Sequence, residues 1–374
     1  MLRVAHVVFD LHGGGMESLV ASIARSLAGT EVRCSVITLS GRAGRIGAEL
    51  APLLDQFHVL APMRGVSMVA PVGLVRALRR ARPDVVHLHS GAWFKGALAA
   101  RLAGVSRVVF TEHGRIHHDP WAARQLDRLA SWLTDVVIPV SRPLEDYLRD
   151  RLGIPAARLW VVENGVDTEA FSPGPPFAGM RERFKLPPDA LVIGSVGRLE
   201  HVKGYDRLLA TFAALKRRGG AGPERWRLVL CGEGSERANL EALADQLGIQ
   251  ESVTFAGWVD ATAEVYRCFD VFAVTSRSEG LSISLLEAMA CGVAPVVDDV
   301  GANREVLGAE LAKYCVPDGA WDDFADLTAG LLADPHRRSD VAAKAAARVR
   351  ERYSLARVVA QYLAIYRGAD RRSA

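Results

Sequence analysis

Short runs rich in Val, Ile and Leu recur along this chain, and a stretch of helical spacing separates most of them from the next. In the first half the strand candidates are Val4–Phe9, Arg33–Leu39, Asp84–His89, Arg107–Glu112, Val136–Val140 and Trp160–Glu163. In the second half they are Leu191–Val196, Arg227–Cys231, Ser252–Ala256, Val271–Thr275, Ala294–Val297 and Lys313–Val316. Most are continuously apolar rather than alternating, as parallel strands covered on both faces require. Strand–helix repetition of this kind predicts doubly wound α/β sheets. There are too many units for one comfortable sheet, so the chain is expected to form two Rossmann-like domains.

The break between them is expected at 171–189, a segment with five prolines. This gives an N-terminal domain over 1–170, a linker over 171–189 and a C-terminal domain over 190–352. A last helical segment over 353–374 packs on its own half or crosses to the other. A length of 374 residues with 49% hydrophobic content suits two domains.

The net charge of +3 gives no reason to invoke nucleic acid. Five scattered cysteines without metal spacing read as free buried thiols in a reducing compartment. The first residues read as a strand rather than a signal peptide, and no apolar run reaches the ~20 residues that span a bilayer. The expected location is the cytoplasm, with the inner membrane face open. The segment Gly73 to Asp84 reads either as a basic amphipathic helix facing anionic lipid or as a solvated helix between strands.

Ligands of open α/β sheets bind beyond the carboxyl ends of the strands, so strand-end residues carry the functional argument. The richest stretch runs from Thr275 to Gly292. Glu279 sits near a strand end and Glu287 follows eight positions later, roughly two turns at about 3.6 residues per turn. Gly280 permits close backbone approach, and the first amides of the following helix offer an anion site. A phosphate bearing sugars on both sides fits that description.

Other strand ends add to it. Gly197 and Arg198, with Lys203 five positions beyond, combine a bidentate fork with a movable point charge, suited to a diphosphate or to surface ion pairs. Gly257 and Trp258 either border a base or pack in the core. The loop Asp10 to Glu17, with Gly14 and Gly15, either cradles an anion or makes a tight turn. His89 and His113 end two strands and are either structural or catalytic. His117 and His118 near Asp119 match no metal spacing and read as a solvated loop.

Together, GGGME, TEHG, ENGVD, VGRLEHVKG, CGEGSE, FAGW and SEGLSISLLEAMACG resemble, in order and over nearly the whole chain, the glycosyltransferases of family 4. That resemblance implies the GT-B fold of two facing Rossmann-like domains. It implies retaining transfer of a hexose-type sugar from a UDP- or GDP-sugar to a glycan or lipid-linked acceptor. It implies no metal and no cofactor beyond the nucleotide-sugar co-substrate, in keeping with the absence of an Asp-x-Asp motif.

By position, Arg198 and Lys203 would bind the diphosphate, helped by the amides of Gly280, Leu281 and Ser282. Glu279 would hold sugar hydroxyls and Glu287 the ribose. Gly14, Gly15, Gly197, Gly257 and Trp258 would line the donor. Glu17, His89 and His113 would lie on the acceptor side, with His113 beside the transferred sugar. The chain departs from the family pattern at Ala302 and Arg304, and in the GRIHHDPW segment, which is expected to reflect the acceptor. The competing readings are a nucleotide-sugar 2-epimerase or glycan phosphorylase of the same fold, and a non-catalytic nucleotide-sugar-binding protein.

Overall fold

A computed structural model describes every residue except 29, 63–69, 115–119, 220–221, 261 and 370–374. The chain divides into two compact units, Met1–Gly165 with Leu355–Ala374, and Val166–Ser354.

In the first unit the elements run β1 (Leu2–Val8), α1 (Gly15–Ala28), β2 (Val32–Thr38), α2 (Arg45–Leu50), β3 (Gln56–Val59), α3 (Val72–Ala81), β4 (Val85–His89), α4 (Trp93–Leu102), β5 (Arg107–Glu112), α5 (Trp121–Trp132), β6 (Val136–Pro139) and α6 (Arg142–Leu152). The second unit follows with α7 (Ala178–Arg183), β7 (Leu191–Val196), α8 (Tyr205–Arg218), β8 (Trp226–Cys231), α9 (Arg237–Gln246), β9 (Val253–Gly257), α10 (Ala263–Tyr266), β10 (Val271–Val274), α11 (Ile283–Ala290), β11 (Ala294–Asp298), α12 (Asn303–Leu311), β12 (Cys315–Val316), α13 (Trp321–Ala333) and α14 (Pro335–Arg352). The last helix, α15 (Leu355–Tyr366), belongs to the first unit.

Each unit holds a six-stranded parallel sheet, ordered β3-β2-β1-β4-β5-β6 in the first and β12-β11-β10-β7-β8-β9 in the second. The strand order reverses direction beside β1 in one sheet and beside β7 in the other. These reversals create the crevices in which open α/β sheets bind ligands. In unit 1 the two sheet faces carry separate cores. One is built by α3, α4, α5 and α6, with Trp93 stacked on Phe110. The other packs α1 through Val20, Ala21 and Ala24 against Val8, Cys34 and Val36.

Several sequence expectations shift. Trp160–Glu163 forms no strand; the sixth strand of the first sheet is β3, whose half-buried Gln56–Val59 lacks a continuous apolar signal. Helix α1 begins at Gly15, inside the segment Asp10 to Glu17 that the sequence reads as a loop. The proline-rich segment 171–189 is not a bare connector. It lies inside unit 2, contains α7 and buries Phe184, and Arg267 Nε donates to the Ser172 carbonyl at 2.8 Å. The unit boundary falls earlier, at Gly165/Val166. All five cysteines are buried free thiols.

Candidate active site

In unit 2, the loops that follow β7 and β10 are stitched together by one backbone bond and one side-chain bond. Arg277 N–H donates to the Val202 carbonyl at 2.7 Å, and Thr275 Oγ1 donates to the Gly204 carbonyl at 3.0 Å. The approach requires glycine at 204: φ is +64°, and a Cβ there would lie 1.9 Å from the Thr275 carbonyl oxygen. Gly301, at φ +55°, does the same for the loop after β11, where a Cβ would fall 2.2 Å from the Glu279 carbonyl oxygen. The loops thus converge on Glu279.

The convergence places Lys203 Nζ 2.6 Å from Glu279 Oε1, and Ser276 Oγ 2.6 Å from the same oxygen. Both charged side chains are mostly shielded, at 23% and 10% exposure, so the pair is held more firmly than a surface ion pair. An ammonium has three N–H groups, and one suffices for Glu279. The rest are available to an anion. Lys203, Ser276, Glu279, Ser282 and Ser284 line one small recess with Ser195, Tyr205 and Thr275. Ser282 caps α11, its Oγ accepting from Leu285 N–H at 3.4 Å. The dipole and leading amides of α11 therefore point at the strand end where Glu279 sits.

Arg198 stands exposed after β7, beside Gly197. Trp258 is 40% exposed after Gly257, so it borders solvent rather than filling the core. Glu287 lies on the buried side of α11, where the Tyr266 hydroxyl donates to its Oε2. Burial raises the Glu287 carboxyl to about 7, and the Tyr266 hydrogen bond partly offsets this.

Asp298 is a further buried acid of this unit. It is 1% exposed at the end of β11, and Asn303 Nδ2 donates to its Oδ1 at 3.2 Å. Burial first, and then the Glu279 charge, push its carboxyl up to about 8. At neutral pH it is mostly a neutral acid, able to donate a proton to a neighbour. Nothing in the linear sequence marks it.

Unit 1 assembles a second constellation, a buried histidine cluster. His87 and His89 alternate on β4 and so share one sheet face, and His6 sits opposite His87 on β1. His6 Nδ1 is 3.1 Å from His89 Nε2, and His89 Nδ1 is 3.1 Å from His113 Nε2. His87 bonds the Tyr366 hydroxyl through Nδ1 at 2.6 Å and Thr111 Oγ1 through Nε2 at 2.7 Å. Burial holds His6 and His113 down to about 4, and His87 and His89 well below their ordinary range.

Neutral imidazoles carry one N–H each, so each contact between two rings has one donor and one acceptor. At one end of the run His6 Nε2 is buried without a partner. The sequence reading named His89 and His113 but missed His6, Thr111 and Tyr366. The H-x-H alternation at 87 and 89 was the available signal.

Gly14 and Gly15 form the turn into α1, and the Glu17 carboxylate folds back over Gly14. His117, His118 and Asp119 lie outside the described residues.

Two doubly wound sheets of parallel strands, one with a lysine–glutamate pair at a helix N-terminus, fit the GT-B fold. Residues 13–170 match the family described as Glycosyltransferase Family 4, and residues 178–348 match Glycosyl transferases group 1. The chain is 32% identical over 359 residues to a GDP-mannose-dependent alpha-(1-6)-phosphatidylinositol monomannoside mannosyltransferase of Mycobacterium tuberculosis, covering 90% of this chain and 91% of that protein. It is 30% identical over 311 residues to the putative glycosyltransferase EpsF of Bacillus subtilis, covering 79% of each. Among solved structures, Anabaena HepE in complex with UDP and glucose superimposes with TM-score 0.85 at 19% identity, covering 98% of this chain and 99% of that one. The chain belongs to glycosyltransferase family 4 and is a transferase enzyme.

Proposed function

We propose that this glycosyltransferase moves a hexose-type sugar from a UDP- or GDP-sugar, with retention, to a membrane-borne glycan or lipid-linked acceptor at the inner face of the cell membrane. No metal takes part in this reading. The observation that carries it is the Lys203–Glu279 pair at the start of α11. Lys203 and the exposed Arg198 neutralise the charge that grows on the departing diphosphate. The leading amides of α11 assist without reorganising. Glu279, already fixed by Lys203 and Ser276, accepts hydrogen bonds from sugar hydroxyls. Glu287 accepts hydrogen bonds from the ribose, and Trp258 borders the base. On the acceptor side we assign Glu17 and His113; His89, expected there from the sequence, is fully buried with both ring nitrogens bonded to His6 and His113, and positions His113 instead. Relatives of both donor types support the open base: the mycobacterial protein is named for GDP-mannose, and HepE was crystallised with UDP.

Nucleotide release with UDP- and GDP-sugars, in excess EDTA and with candidate acceptors, tests this reading. Wild type should turn over with the chelator present. Lys203→Ala and Glu279→Ala should each lose about 100- to 1000-fold while staying folded, the loss typical of removing one preorganised charge partner. Wild-type turnover in both variants would refute the site. Activity lost to EDTA and restored by a divalent ion would refute the metal-free mechanism. Interconversion of free donor without acceptor would favour the epimerase.

A further inference from the structure

The loop after β11 starts from Asp298 and runs into Asn303, the first residue of α12. Its middle presses on the turn that leads into α11. A Cβ on Gly301 would fall 2.2 Å from the Glu279 carbonyl oxygen, and Ala302 N–H donates to the Gly280 carbonyl at 3.1 Å. Lys203 and Ser276 hold the Glu279 carboxylate from one side. Gly301 and Ala302 hold the Glu279–Gly280 backbone from another.

The two ends of this loop are clasped by their side chains. Asn303 Nδ2 donates to the Asp298 carbonyl at 3.0 Å and to Asp298 Oδ1 at 3.2 Å. Both N–H groups of the amide are thus spent on Asp298, which fixes the way the amide points. The two residues are 1% and 0% exposed. Yet among the described residues Asp298 Oδ2 and Asn303 Oδ1 meet no hydrogen-bond partner. Both atoms are acceptors when the acid is ionised, so an ionised Asp298 would leave two buried oxygens orphaned. A protonated carboxyl has one O–H, and its edge matches a primary amide donor to acceptor. One proton on Oδ2 supplies the donor that the pair lacks.

The surrounding charges favour that proton. Glu279 from the loop after β10 and Asp318 from the loop after β12 both act against an ionised Asp298, and Arg207 of α8 acts for it. Arg207 already pairs with Asp318 at 3.0 Å. In the same loop Arg304 is held by Asp299 at 2.9 Å. The Cys315 thiol of β12 is pushed up to about 12, so it stays neutral.

We propose that Asp298 and Asn303 are positioning residues of the transfer reaction, joined by a proton on Asp298, and that this clasp keeps Gly301 and Ala302 against Glu279 and Gly280. Loss of the proton opens the clasp and sets a second negative charge beside Glu279. The carboxylate that holds sugar hydroxyls and the amide that faces the diphosphate then lose their alignment. The inference rests on the reading of Glu279 and Gly280 as donor-site groups.

Wild type, Asp298→Asn and Asp298→Ala, compared from pH 5 to 9, test it. Asparagine at 298 offers the donor and acceptor of the protonated acid and cannot ionise. Asp298→Asn should keep wild-type kcat within about twofold at pH 7. The ratio of wild-type to Asp298→Asn kcat should then fall about tenfold from pH 7 to pH 9, as the neutral fraction of Asp298 falls. Asp298→Ala should lose about tenfold at pH 7. A packing role alone would not spare the asparagine variant at pH 9. Melting without donor gives a second readout. Burial raises the Asp298 carboxyl from its ordinary 3.8 to about 8, so wild type loses stability relative to Asp298→Asn as pH rises between those values. The melting gap should therefore widen from pH 5 to 8. The proposal fails if Asp298→Asn follows the wild-type alkaline fall, if Asp298→Ala turns over like wild type at pH 7, or if the melting gap is constant. Should Asp298→Ala fail to fold, the asparagine comparison decides alone. Wild-type turnover in Lys203→Ala and Glu279→Ala would instead sink the donor reading, and the melting gap does not depend on it.

Discussion

His6 is an ordinary polar residue in sequence and an extreme one in place. Its ring is fully buried, its Nδ1 bonds His89, and burial holds it at about 4. A folded-state value below the ordinary 6.5 means that the unfolded chain takes up the proton first as pH falls. The stabilisation is complete above about 6.5 and is lost as pH drops to about 4. The buried carboxyls work in the opposite sense. Glu287, raised to about 7, favours the fold most at low pH and loses that contribution as pH rises from its ordinary 4.5 to 7. The two trends oppose each other in wild type, so the diagnostic quantity is a difference. Denaturation of His6→Gln should show a loss relative to wild type at neutral pH of about 1–3 kcal/mol. That gap should shrink between pH 6.5 and 4. A gap constant over this range would mean that His6 is not held neutral.

At the scale of elements, the donor side is a meeting of loops rather than of side chains alone. Gly204 ends the loop that carries Lys203, caps α8, and touches the Thr275 carbonyl where no Cβ fits. Gly204→Ala adds a strained left-handed residue and a backbone clash. It should destabilise unit 2 by about 2–4 kcal/mol and displace Lys203 from Glu279. Thermal denaturation reads the first effect. Turnover falling further than the loss of folded protein explains reads the second. Element α3 illustrates a choice that sequence left open. Its apolar residues Leu74, Val75, Leu78 and Ala81 face the sheet and its arginines face out, which serves a solvated helix and a lipid-facing helix equally well.

On the scale of the molecule, the chain leaves its first unit at Gly165 and re-enters it at Leu355. Helix α15 buries Val358, Tyr362, Ile365 and Tyr366, and the Tyr366 hydroxyl meets His87 across 279 positions of sequence. The second unit is therefore an insertion within the first, and the first fold is incomplete until the chain's end has been made. Tyr366→Phe should weaken the unit that holds the histidine cluster by about 1–3 kcal/mol, because it leaves His87 Nδ1 buried without its partner. Equilibrium unfolding in urea, compared with wild type, measures this. No change would mean that water replaces the hydroxyl.

Much of this was legible in the sequence. Parallel strands covered on both faces must be apolar throughout, so nearly every strand of both sheets could be read. The exceptions were β3, half-buried at a sheet edge, and Trp160–Glu163, apolar without being a strand. Lys203, Glu279 and the start of α11 were legible because strand ends and helix starts are local features. Asp298, His6 and the partners of Glu287 were not, because a pKa shift or a hydrogen bond across the sheet depends on register and burial, which no short window contains. The repeated strand–helix grammar alone determined two Rossmann-like units and put the candidate ligand-binding residues at their strand ends, while the class of chemistry came from the resemblance of the strand-end motifs to a known family. Only the tertiary structure decided that the last helix closes the first unit, that glycines let three loops meet at one carboxylate, and that α5 keeps its tryptophans in solvent. Each of these depends on what lies opposite in space, and contact across hundreds of positions is a property of packing rather than of local sequence.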